Sequence, residues 1–292
     1  MRAEPRSPSG CGITDSVLAD LHLHATHSDG RLDPTAVVEA AAARGLATVA
    51  IVDHDVVSGL AEAQAAGQRL GVEVIAGVEL TARWRSRTLH VLGYAFDPAE
   101  PHLVAALARV RAAAEAVVAA CLELLQMRGH DLSLADLARY RARYPTPTTL
   151  LLALVQRGLL RSRGDLRAVL TLLRAGAPAL PVGDAISLIH GARGAAVLAH
   201  PGRRVGRVPV DGAALAELAA LGLDGVEVGH PAHSGAQQAV YGALAQELGL
   251  LATAGSDWHG RPGDPPPGTL GVTPAQLAAL GARAGAVATP RS

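Results

Sequence analysis

Residues 19–30 read Ala-Asp-Leu-His-Leu-His-Ala-Thr-His-Ser-Asp-Gly, a short apolar alternation that ends in turn chemistry. On a regular strand His22 and His24 project from one face and Leu21 and Leu23 from the other, because side chains repeat every two residues. Two imidazoles one pleat apart can hold a cation between them. A single pair of this kind is as readily a satisfied polar face, so the other apolar runs decide. The run at 47–52 ends in Asp53 and His54, that at 72–78 delivers Glu79, and that at 194–199 ends at His200. The run at 224–228 ends near His230, and 250–256 gives way to Asp257, Trp258 and His259. One such polar terminus reads as a helix cap; the same pattern at run after run reads as a shared site. Imidazole and carboxylate ligands without cysteine suit Mn²⁺, Zn²⁺ or Fe²⁺ rather than a structural thiolate zinc. Their number exceeds what one ion takes and implies two to three divalent metal ions. Such ions generate hydroxide near neutral pH and clamp phosphoryl oxygens during in-line attack.

The elements that must gather these residues alternate. Asp33 before Pro34 predicts a helix N-cap with proline at the first helical position, and Gly45 predicts its stop. The continuous apolar run at 47–52 marks a strand buried on both faces. Helices are predicted over 58–70, 212–221 and 237–248, with a short one at 274–280. Strands feeding helices predict an α/β fold, a β/α barrel whose strand carboxyl ends form one rim. On that rim His22, His24, Asp53, His54, Glu79, His200, His230, Asp257 and His259 converge. Two features interrupt the rhythm. Only a few polar residues around 85–87 separate the strand delivering Glu79 from the run at 89–94, which predicts a β-hairpin rather than a parallel crossover. The region 98–192 then has helical periodicity and no strand, with helices predicted over 103–128, 133–143, 148–157 and in a stretch before Ile186. The expected organisation is a disordered polar lead-in at 1–16, a barrel from 17–97 and 190–292, and a helical insertion at 98–189 serving as a lid.

Composition narrows the ligand. The 292 residues carry 26 basic and 26 acidic side chains, so no net field favours a polyanion. Aromatics make up 2% of the chain, too few to stack a long single strand. No long nucleic acid is expected as a partner. Cys11 and Cys121 cannot build a disulfide framework, which predicts a reducing, cytoplasmic setting. No apolar segment predicts a membrane span or a signal peptide.

His22-Leu23-His24 with Ser28-Asp29-Gly30, Asp53-His54-Asp55, Gly77-Val78-Glu79-Leu80, Ala199-His200-Pro201 and Ser256-Asp257-Trp258-His259, in that order, resemble the motifs of the PHP (polymerase and histidinol phosphatase) superfamily. Asp29 and the helical insertion are most similar to its stand-alone bacterial nucleoside 3′,5′-bisphosphate phosphatases and small-RNA 5′ exonucleases. The resemblance implies a distorted (β/α)7 TIM-like barrel with a trinuclear metal centre. Carried over by position, one metal takes His22, His24, Glu79 and Asp257. A second shares Glu79 and adds His90 and His200. A third takes Asp29, His54 and His259. A hydroxide held between metals is then expected to attack phosphorus directly, with Asp257 and His200 at the reacting centre.

Other residues have supporting roles in this reading. Arg203 or Arg204 is expected to clamp a phosphate, since a guanidinium suits bidentate contact. His230, with His27 and His233, is expected to supply an outer hydrogen bond or the leaving-group proton. Asp53 is expected to orient neighbours rather than bind metal. His102, His130 and His190 read as surface or capping residues, and Trp84 and Trp258 as packing or pocket wall. One departure bears on the substrate: where relatives tend to show an Arg-Pro-His-like element, residues 144–149 read Tyr-Pro-Thr-Pro-Thr-Thr. The basic pair that would meet a second phosphate is missing.

The expected activity is a metal-dependent phosphatase acting on a phosphomonoester of a small metabolite: a nucleotide, nucleoside phosphate or sugar phosphate. The alternatives are a 5′-3′ exonuclease or phosphodiesterase on short RNA, an amidohydrolase-like hydrolase, and a non-catalytic metal-binding module. The chain has no lysine, all 26 basic residues being arginine, which counts against an amidohydrolase built on a carboxylated lysine.

Overall fold

Strand β2 (Thr48–Ile51) is a short β-branched and apolar run with every residue buried, and it lies between two parallel neighbours, β1 (Ala19–Leu23) and the start of β3 (Glu73–Trp84). The computed structural model describes residues 19–138, 147–156, 158, 163–176, 179–203 and 209–287. From β3 the sheet continues through β4 (Arg87–Tyr94), β6 (Ala195–Leu198), β7 (Gly225–Gly229) and β8 (Leu251–Ala254). Backbone beyond β8 returns to the first strand: His24 N donates to Trp258 O at 2.9 Å and Trp258 N to His22 O at 3.3 Å. The result is a nearly closed, barrel-shaped mixed sheet, with β4 antiparallel to both β3 and β6 and the remaining neighbours along this path parallel.

Helices follow the strands as their caps dictate. In α1 (Pro34–Ala42) the Asp33 carboxylate accepts from Ala36 N and proline occupies the first turn. Helix α2 (Leu60–Leu70) stops at Gly71, whose φ of 70° only glycine adopts at no steric cost. Both pack outside β1, β2 and the start of β3 through Val37, Val38, Ala63 and Ala66. Helix α10 (Pro274–Val287), twice the expected length, packs Leu280 and Ala284 with Leu21, Leu92 and Val197.

The hairpin is present but longer than expected. β3 runs on past Glu79 to Trp84, pairing Glu79 with Leu92 and Thr81 with His90. Glu79 and His90 therefore sit within the hairpin and not at strand ends, because the antiparallel arm from Gly77 to Trp84 satisfies its own backbone and has no reason to stop at the acid. The simple alternation of the first strand is also corrected. Its pairing with β2 shifts between Asp20 and Leu23, so Leu21 packs with Ala50, Val52 and Tyr94 while Leu23 packs with Val37 and Val38.

Between β4 and β6 come α3 (Pro101–Met127), α4 (Leu134–Ala138), α5 (Pro147–Gln156), α6 (Arg163–Gly176), β5 (Leu180–Pro181) and α7 (Val182–Gly191). The expected helix at 133–143 is described only as far as residue 138. No strand was expected here, yet β5 pairs with β3 at Ala82 and Arg83. It is two residues long and includes a proline, which leaves no alternation to read. A separate apolar cluster, with Val118, Leu125, Leu150, Leu154 and Val169, joins α3 to α6. By contrast Leu103 and Leu107 at the start of α3, and Ile186 and Ile189 of α7, belong to the core that includes Leu80 and Val91. The lead-in at 1–16 with Cys11, and residues 144–146, lie outside the described residues. No helix among the described residues is long and apolar enough to cross a membrane.

Candidate metal centre

Glu79, 1% exposed, is the hub of the site. Its Oε2 lies 3.2 Å from His24 Nε2, 3.3 Å from His22 Nε2 and 3.4 Å from His54 Nδ1. Its Oε1 lies 2.6 Å from His90 Nδ1 and 2.9 Å from His200 Nε2. A carboxylate whose two oxygens face separate sets of imidazoles has the geometry of a bridging ligand. Asp257 adds Oδ1 at 3.3 Å from His24 Nε2 and 3.4 Å from His22 Nε2, while its Oδ2 is 3.2 Å from His230 Nε2. On the far side of His24, Asp29 Oδ1 is 3.2 Å from His259 Nε2, 3.8 Å from His24 Nδ1 and 3.9 Å from His54 Nε2.

Among the described residues, donor atoms close enough to share one ion fall into overlapping groups: His22, His24 and Asp257; His54, Glu79 and His90; His24, Asp29, His54 and His259; and, behind His22, a group of His22, Glu227 and His230. All nine residues expected as ligands thus meet in one cluster. His24 joins the Asp29 group as well, through its second nitrogen.

Local sequence explains why they meet. Asp20, fully buried, accepts from the backbone N–H of His22, Ser256 and Gly268, tying the first strand to the stretch after β8. Asp53 accepts from Ala25 N and Ser28 Oγ, so it shapes the turn carrying Asp29. Asp264 accepts from His259 N and Arg261 N and fixes the last ligand loop. His200 and Asp257 have φ of 30° and 50°, values non-glycine residues avoid. Strain of this kind persists only where the surroundings over-determine the backbone.

The electrostatics favour cations. Burial alone would raise the Glu79 carboxyl, but His54, His90 and His22, with the His200 hydrogen bond, hold it well below the usual range. Asp29 and Asp257 are lowered in the same way, against their burial, by the imidazoles around them. Burial disfavours charge on His22 and His24, yet Glu227, Asp257 and Glu79 raise His22 well above its ordinary value. Asp257 and Glu79 push His24 up to about 10. His54 and His200 are driven by burial down to about 3 and about 4, neutral and ready to ligate. The same anionic oxygens that favour a proton on His22 and His24 favour a divalent cation in its place. Among the described residues, neither buried ring nitrogen of His24 makes a hydrogen bond, although carboxylate oxygens are near. Nitrogens so aimed, beside oxygen donors and no thiolate, fit Mn²⁺, Zn²⁺ or Fe²⁺.

Around the cluster, Arg203 NH1 is 3.9 Å from Asp257 Oδ2 with 43% of its side chain exposed, while Arg204 lies outside the described residues. A shallow recess, with room for about one water, opens beside His90 and His200, walled by Arg87, Leu89, Pro201 and Arg203. His233 accepts from Gly202 N through Nε2 and faces Val228 O through Nδ1, a structural role, and His27 pairs with Ser58. His190 pairs with Asp224 and His102 with Glu100, away from the cluster. Trp84 is buried core, and Trp258 contributes backbone pairing.

Two residues were missed. Glu227, 0% exposed, accepts from His22 Nδ1–H at 2.8 Å and from His200 N at 2.7 Å. Its signal was an acid inside an apolar run, overshadowed by His230 at the end of that run. Arg261 donates through NH2 to Asp29 Oδ2 at 3.0 Å and Asp29 O at 2.9 Å. No sequence pattern marked it.

The PHP domain family model matches residues 20–159. The chain is 36% identical to the 3′,5′-nucleoside bisphosphate phosphatase of Chromobacterium violaceum, over 82% of this chain and 86% of that one. It is 33% identical to a 5′-3′ exoribonuclease of Haemophilus influenzae, over 82% and 89%. A solved structure described as an amidohydrolase from Chromobacterium violaceum, with bound sulfate and no metal, superposes with a TM-score of 0.75 at 34% identity, covering 91% of this chain and 96% of that one.

Proposed function

This chain belongs to the PHP domain family of metal-dependent phosphoesterases, and we propose that it hydrolyses a phosphomonoester of a small metabolite, a nucleotide, nucleoside phosphate or sugar phosphate, at the cluster centred on Glu79. The observation that carries this reading is the two-sided environment of Glu79, with His22, His24 and His54 at one oxygen and His90 and His200 at the other. His22, His24, Glu79 and Asp257 would hold one divalent ion, Glu79, His90 and His200 a second, and Asp29, His54 and His259 a third. Ions bound there would activate water for attack on phosphorus and take up charge on the phosphoryl oxygens.

The chain's own side chains do the rest. Arg203, half exposed beside Asp257, receives a phosphoryl oxygen through its guanidinium. His230, 2% exposed, accepts the Ala232 N–H at Nδ1 and holds Asp257 Oδ2 through Nε2 at 3.2 Å, an outer hydrogen bond that orients this carboxylate. Water adds to phosphorus, the bond from phosphorus to the ester oxygen breaks, a proton given up by the water ends on that oxygen, and alcohol and inorganic phosphate result. The missing basic pair at 144–149 argues for a metabolite over an RNA end. Helices of the insertion at 98–189 would serve as the cover.

A 5′-3′ exonuclease is the second reading, favoured by the Haemophilus influenzae relative. Phosphate release from nucleoside mono- and bisphosphates, sugar phosphates and short 5′-phosphorylated RNA, with Mn²⁺-loaded protein, separates the two. Rapid release from a small monoester supports the proposal. Nucleotide release from RNA without it supports the second reading, and hydrolysis undiminished by chelator overturns both. Turnover is expected to vanish in His24→Ala and in Asp257→Ala while far-UV circular dichroism is unchanged; wild-type rates in both variants would refute the site.

A further inference from the structure

We propose that Glu227 is the positioning residue that makes the two sides of Glu79 bind their cations together, an inference that rests on the metal-dependent reading above. Glu227 lies on β7 with no solvent exposure, and its two oxygens do different work. Oε1 accepts the Nδ1–H of His22 at 2.8 Å. With one hydrogen committed to Nδ1, Nε2, which faces Glu79 Oε2 and Asp257 Oδ1 at 3.3 and 3.4 Å, is the His22 nitrogen left to take a cation in place of its proton. Oε2 accepts the backbone N–H of His200 at 2.7 Å. That bond fastens a residue whose φ of 30° needs outside support, and from this conformation His200 Nε2 reaches Glu79 Oε1 at 2.9 Å.

His22 and His200 therefore approach opposite oxygens of the bridging carboxylate, and their rear contacts end on one and the same group. Their rings stand 5.9 Å apart. Loosening Glu227 frees both at once, so two cation positions are disturbed together. The set made by Asp29, His54 and His259 has no hydrogen bond to Glu227 among the described residues and keeps its geometry. A purely structural carboxylate would not discriminate between these positions.

The test is a titration of metal-free full-length protein with Mn²⁺ alone, counting ions bound and their affinities, in wild type, Glu227→Gln and Glu227→Asp. Glu227→Gln removes one acceptor from the pair, and Glu227→Asp withdraws both oxygens while keeping the charge. Both are expected to weaken two ions by roughly 10–100-fold, the cost typical of losing a hydrogen bond behind a metal ligand, and to leave the remaining affinity intact. Asp224→Asn, a buried carboxylate remote from the ligands, is expected to give the wild-type isotherm. Superimposable isotherms for wild type and both Glu227 variants would overturn the proposal. So would an equal loss at every position accompanied by a fall in melting temperature, which marks a general structural role. A wild-type protein that binds no Mn²⁺ would refute the metal-dependent reading itself.

Discussion

At the scale of single residues, the site is an economy of oxygens. Three carboxylates, Glu79, Asp29 and Asp257, reach imidazoles supplied from segments far apart in sequence, and Glu79 faces expected ligands with both of its oxygens. Glu79→Gln is therefore expected to lower turnover by more than the roughly 100-fold that marks loss of an outer hydrogen-bond partner, since a direct bridging group is lost. The check is kcat for the best substrate at saturating Mn²⁺, beside a circular dichroism spectrum showing the fold retained. Arg203→Gln should act differently. It is expected to raise KM and leave the cation count unchanged, because among the described residues its guanidinium pairs with Asp257 Oδ2 at the long distance of 3.9 Å. Most of the clustered residues were legible at this scale because several, such as His54, His200 and Asp257, close an apolar run. Glu227 was not, because an inward-facing acid inside a strand carries no mark of what lies across the barrel from it.

At the scale of elements, backbone approach decides where ligands stand. A β-carbon added at Gly255, just after β8, would collide with the backbone and Cβ of His22. Gly255→Ala is expected to cost about 1–3 kcal/mol or more by overpacking and to weaken Mn²⁺ binding, measured by denaturant unfolding and by titration. On the other side of β6 and β7, Asp224 accepts from Ala196 N and His190 Nε2, each at 2.8 Å, and from Arg283. Burial pushes its carboxyl up, but those bonds hold it below the ordinary 3.8. A carboxyl whose folded value is depressed contributes stability above its unfolded value and loses it as pH falls through the folded one. Asp224→Ala should thus cost about 1–3 kcal/mol at neutral pH, by leaving a buried N–H unpaired. The gap to wild type should narrow below pH about 4, as read from urea unfolding at pH 3 and pH 7. The hairpin of β3 and β4 was readable from the shortness of the 85–87 link. The length of β3, and hence the depth of Glu79 and His90, depended on cross-strand pairing that no local pattern records.

At the scale of the whole molecule, cations and fold are linked. Donors drawn from the first strand to the loop after β8 can meet only in the folded chain, so an ion bound among them stabilises that chain by mass action. Mn²⁺ at 100 times its dissociation constant should add about 2.7 kcal/mol per independent ion, seen as a rise in melting temperature that chelator reverses. His24→Ala, which removes a residue shared between two donor groups, should show a smaller rise. The order of strands, helices and ligand motifs along the sequence already determined an α/β barrel with imidazoles and carboxylates on one rim, because apolar periodicity and caps are local properties. Tertiary structure alone decided the bulge that separates Leu21 from Leu23, the pairing of β5 with β3, and the convergence of Glu227 and Arg261 on the ligands. Those depend on which backbones lie side by side after closure of the sheet, and such contacts leave no period in the chain that makes them.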